Sequence, residues 1–180
     1  SRYTGTINSN LLDVNSIESM ALGLQAADII TNTIILENRG ESPAGVYDVV
    51  ITDNLPDELS FQPGTLCVTD CAGNPISWNP VNALDTEPLF QSGIELVDGA
   101  TEGAIHSYSD TSGQNLAVIT YDAVIESGAQ VEQELFNQAE IVSYAGNEGA
   151  TNHIPDGLDA EAGIKTESPS ISKAIRDTDI

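Results

Sequence analysis

Basic side chains are scarce in this chain: 5 Lys and Arg stand against 28 Asp and Glu in 180 residues, a formal net charge of −23. A field of that sign repels phosphate backbones and anionic lipid heads, which argues against nucleic acid or a membrane surface as partner. No run of about 18 apolar residues is present, so the sequence offers no membrane-spanning helix and no direct membrane insertion is expected. Residues 1–10 have neither the basic start nor the apolar stretch of a signal peptide, and the chain reads as a processed or excised piece. Two Cys and two His are present, but His106 and His153 lie far in sequence from Cys67 and Cys71 and from each other, without zinc-ligand spacing.

What is present suits a soluble globular protein. Hydrophobic residues make up 40% and charged residues 18%, too polar for spans and too lightly charged for disorder. The length allows one large domain or two small sandwiches. Cys67 and Cys71 flank a short polar stretch, and in an oxidising compartment that spacing suggests a small disulfide loop. His106 and His153 lie far apart, with no nucleophile motif, metal-ligand spacing or phosphate-cradling glycine loop near either. Chance pairs are abundant among so many carboxylates, so no glycosidase pair stands out. The chain is not expected to be an enzyme and needs no cofactor.

The periodicity is that of strands. Residues 29–37 (IITNTIILE) are rich in β-branched side chains and end at the turn Asn38-Arg39-Gly40. Residues 46–53 form a second strand, stopped by Asn54-Leu55-Pro56-Asp57, because proline removes a ladder donor. Further strands are expected at 59–61, 64–68, 116–125 and 135–144. This is an all-β protein, an Ig-like β-sandwich. Residues 10–27 hold helix formers and suit a short helix, a strand or a loop at one end. Residues 74–104 form a long insertion between strands, where Trp78 and Phe90 offer stacking surfaces for a ligand or, more simply, core.

Calcium is the one metal the residues suggest. The segments 110–115 (DTSGQN) and 156–161 (DGLDAE) each cluster oxygen ligands around a glycine, with Asp110, Asp156 and Asp159 as candidate ligands, although neither fits a helix-loop-helix calcium pattern. Turn formation explains both equally well.

Residues 30–40 and 49–61 resemble the repeat domain of bacterial cell-surface proteins. In that pattern one strand closes in Asn-x-Gly, here Asn38-Arg39-Gly40, and the next closes in Thr-Asp-x-Leu-Pro-x-x-Leu-x-Phe, here Thr52 through Phe61. Residues 117–125 and 136–144 are similar to the closing strands of the same domain. Asn32 departs from it, standing where an aromatic is usual. The resemblance implies an extracellular, cell-surface module of a fibre, filament or adhesin, partnered by copies of itself or adjacent repeats. A domain that captures a peptide or sugar is the alternative it leaves open.

Residues 169–178 (PSISKAIRDT) resemble the opening strand of such a repeat, placed after the body of the domain instead of before it. The layout expected is therefore an N-terminal region over 1–27, a sandwich over 28–168 and a C-terminal strand over 169–180. That strand, with Ile171, Lys173 and Ile175 on one face, would reach a next repeat or a neighbouring subunit by strand exchange. Related surface domains carry a Lys–Asn isopeptide bond assisted by a buried carboxylate. Carried over, that role falls to Lys173 and Asn137, with Asp122 as the candidate acid.

Overall fold

The computed structural model describes residues 20–40, 42–109, 111–154 and 157–167. Among the described residues ten strands lie in two sheets, and period-two alternation decides what each buries. Strands β2 (Ile29–Glu37) and β8 (Leu116–Ile125) pair antiparallel without interruption, from Ile29 opposite Val124 to Glu37 opposite Leu116. Strand β4 (Leu59–Phe61) pairs with the other edge of β8, as does β5 (Cys67–Thr69), completing the smaller sheet.

The larger sheet has the order β1-β10-β9-β3-β7-β6. Its centre is β3 (Tyr47–Asn54) against β9 (Glu134–Ala145), with β10 (Leu158–Thr166) antiparallel to β9. Strand β1 (Met20–Leu24) runs parallel to the last part of β10, so the end of the expected N-terminal region belongs to the sandwich. The insertion folds as a hairpin of β6 (Trp78–Pro80) and β7 (Ile94–Leu96), joined through a 3-10 turn at Pro88–Phe90, and β7 docks on β3.

The core lies between the sheets. Ile51 from β3, Ile94 from β7, and Ile119 and Ile125 from β8 are completely buried, joined by Val49, Leu89, Leu96 and Tyr121. Burying each such side chain contributes about 1.5–3 kcal/mol before the entropy cost of ordering it. Phe90 closes one region of this core, with its ring 5.0 Å from Phe61 and 5.0 Å from Tyr121. It is thereby turned away from the ligand-stacking role the sequence suggested, and half-buried Trp78 also packs against the core.

The expected disulfide is not formed: Cys67 and Cys71 are both present as thiols. Val68 and Thr69 continue strand β5 beyond Cys67, so the chain has not turned back before it reaches Cys71. Extended chain advances roughly 3.3 Å per residue, so β5 carries the backbone away from Cys67 before the turn at Asp70 begins. The turn spans residues 70–74, so that it contains Cys71, and is organised by Asp70, whose carboxylate accepts the backbone N–H groups of Ala72 and Asn74 and the Asn74 side-chain amide, each at 2.8 Å.

Candidate functional site

A polar group sits inside the sandwich where the alternation calls for apolar side chains. On β3, the inward set Tyr47, Val49 and Ile51 ends in Asp53, which is 3% exposed. On β9 the inward set contains Asn137 between Leu135 and Ala139, and on β8 Tyr121 sits between Ile119 and Ala123. Asn32 of β2 lies directly opposite Tyr121. Four polar side chains from both sheets therefore meet at one level of the core.

Their hydrogen bonds are short but incomplete. Tyr121 donates its hydroxyl to Asp53 Oδ2 at 2.6 Å, and Asn137 Nδ2 lies 2.7 Å from the Tyr121 oxygen and 3.1 Å from Asp53 Oδ2. Asp53 Oδ1, Asn137 Oδ1 and Asn32 Nδ2 are buried and make no well-formed hydrogen bond among the described residues. Orphaned buried polar atoms cost about 1–3 kcal/mol each, so such a group calls for an explanation beyond packing. Desolvation pushes the Asp53 carboxyl above its ordinary range, partly offset by hydrogen bonds from Tyr121, Asn137 and the Asn54 backbone. Tyr121 is pushed up as well, first by burial and then by the Asp53 charge.

Chemically, this is a carboxyl held towards its neutral form beside a carboxamide. An amine delivered to Asn137 Cγ would find a neighbouring acid able to polarise the amide and carry a proton. The residue in that position is Asp53. Asp122 lies on the opposite parity of β8 and accepts the Thr31 hydroxyl at 2.7 Å on the outer face. Lys173 lies outside the described residues, together with Ile171 and Ile175. The two described basic residues are engaged elsewhere: Arg39 with Glu37 at 2.8 Å and Lys165 with Glu134 at 3.6 Å.

Beside this group the sandwich is open. A groove of about 720 Å³ runs between β2 and β10, with Asn137, Ala139 and Ile141 of β9 in its wall. Inward-facing Leu158, Ala160 and Ala162 of β10 line it, yet all three are exposed, Leu158 by 58%. Small side chains create the space, and no strand among the described residues faces it.

Of the three calcium candidates only Asp159 lies among the described residues. Asp159 accepts Gln138 Nε2 at 2.8 Å, while Asp110 and Asp156 lie outside the described residues. A different set meets instead: carboxylate oxygens of Asp48, Asp98 and Glu148 lie within 4.8 Å of one another, a donor set of the kind a hard cation takes. Asp98 also accepts the N–H groups of Asp48 at 3.0 Å and Ala104 at 2.7 Å, so backbone donors already offset part of its charge.

The sequence points to Asn137, marks Asn32 only as a departure from the family pattern, and singles out neither Asp53 nor Tyr121. The signal that would have found them is parity: each is a polar residue in step with its strand's apolar positions.

No protein-family model matches the chain, and no curated protein does. Solved structures do. The pilus backbone RrgB of Streptococcus pneumoniae is similar at 18% identity and a TM-score of 0.51, over 74% of this chain and 47% of that one. BcpA, the major pilin subunit of Bacillus cereus, is similar at 17% identity and a TM-score of 0.52, over 81% of this chain and 37% of that one. This chain thus spans about half or less of the length of those pilins. At such identities the likeness speaks for the fold alone, and it establishes that the chain is an Ig-like β-sandwich of the kind found in bacterial pilus backbones.

Proposed function

We propose that this chain is a structural module of an extracellular bacterial surface fibre or adhesin, assembling with copies of itself or with adjacent repeats by β-strand addition. The observation that carries this reading is the edge of β2. Among the described residues β2 pairs only with β8, leaving nine residues of regular edge without proline, lysine or bulge. Sandwiches normally defend such an edge with one of those devices, because its unpaired N–H and C=O groups otherwise template another strand. Fold likeness to pilus backbones and the lack of a recognisable catalytic motif fit the same reading.

The strand added is the one over residues 170–175. Its finer consequence is a covalent lock, in which Lys173 Nζ bonds to Asn137 Cγ, Asn137 Nδ2 leaves as ammonia, and Asp53 relays the displaced proton to the leaving group. Imaging the full chain at rising concentration tests the proposal. End-to-end rows of domains are expected, and discrete single particles at every concentration would contradict it.

A further inference from the structure

We infer that the groove between β2 and β10 is the seat of residues 170–175 from a second copy, with Lys173 entering level with Asn32 and ending at the Asn137–Asp53 pair. This rests on the strand-addition reading and adds where the strand lies and what holds it.

Length, shape and charge agree on the occupant. The groove is bordered by residues 32–37 of β2 and 158–162 of β10, and six extended residues span about 20 Å. Among the described residues two strand edges flank it, because β1 there covers β10 from Gly163 to Thr166. Ala160 and Ala162 leave room for larger side chains from an incoming strand, and Ile171 and Ile175 flank Lys173 on one face by strand alternation.

The polar group decides which strand fits. Asp53 Oδ1 and Asn137 Oδ1 are acceptors without well-formed bonds, and a lysine ammonium is a pure donor with three hydrogens. The chain has only five basic residues. Arg39 and Lys165 are engaged elsewhere, and of Arg2, Lys173 and Arg176 only Lys173 lies between two isoleucines at strand spacing. A buried carboxyl gains most from a partner that brings its own apolar cover, since water stays excluded around the pair.

The test uses the full chain carrying Ala160→Trp, which fills the groove from an exposed position, or Lys173→Ala, which lies outside the described fold. Two quantities are read: the assembled fraction at fixed time and concentration, and hydrogen exchange of residues 29–37. In the unaltered chain, protection of 29–37 should rise with concentration. Each variant should lower the assembled fraction about tenfold or more and abolish that rise. Assembly unchanged by Ala160→Trp but lost when residues 170–180 are deleted would overturn the seat while leaving strand addition standing. Protection independent of concentration would mean that the chain fills its own groove, and protection surviving Lys173→Ala would mean that another segment occupies it; either result overturns the inference.

Discussion

The Tyr121 hydroxyl crosses from one sheet of the sandwich to the other to donate to Asp53 Oδ2 at 2.6 Å, in a core built mostly from isoleucine, leucine and valine. The bond partly compensates a carboxyl that burial disfavours. Tyr121→Phe removes it while keeping the ring against Phe61 and Phe90. The variant should lose about 1–3 kcal/mol in urea unfolding. An unchanged midpoint would show that the bond contributes nothing net.

Asp53 also predicts a pH dependence. Its folded-state pKa is raised above 3.8, chiefly by desolvation. The stability gained from holding that proton is fully present below the unfolded value and is lost as pH rises through the folded value. Asp53→Asn cannot lose it. The stability of the variant minus that of the unaltered chain should therefore increase with pH across this window. A difference that stays flat, or falls, would contradict the environment assigned to Asp53.

Much of this fold is legible in the sequence because some strands state their period openly. Residues 29–37 and 116–125 read as strands and are strands, since β-branched side chains fill both faces of each. Strand β10 was missed. Its first half, Leu158-Asp159-Ala160-Glu161-Ala162, has helix-forming composition and becomes a strand by pairing with β9, a tertiary effect that local propensity does not report. At the candidate site the sequence pointed to Asn137 through its motif, whereas Asp53 and Tyr121 come in through the inward parity of β3 and β8, the same parity that sets Asp122 on the outer face. The geometry of Asp53 against Asn137 depends on strands 84 positions apart in sequence.

The two cysteines give a direct check on local geometry. Cys67 is half-buried and Cys71 buried, both as thiols. A thiol reagent should modify Cys67 in the native protein and reach Cys71 only on unfolding, for a total of two equivalents. Finding no reactive thiol in the unfolded, unreduced chain would mean that the pair is bridged after all.

Assembly through the C-terminal strand is the central claim, and deleting residues 170–180 tests it most directly. Sedimentation of the full and shortened chains, side by side over a range of concentrations, reads the result. The full chain should form species that grow with concentration, whereas the shortened chain should remain a folded monomer of lower stability, because on the proposed assembly the edge of β2 is left without an added strand. A shortened chain that assembles as the full one does would contradict the account.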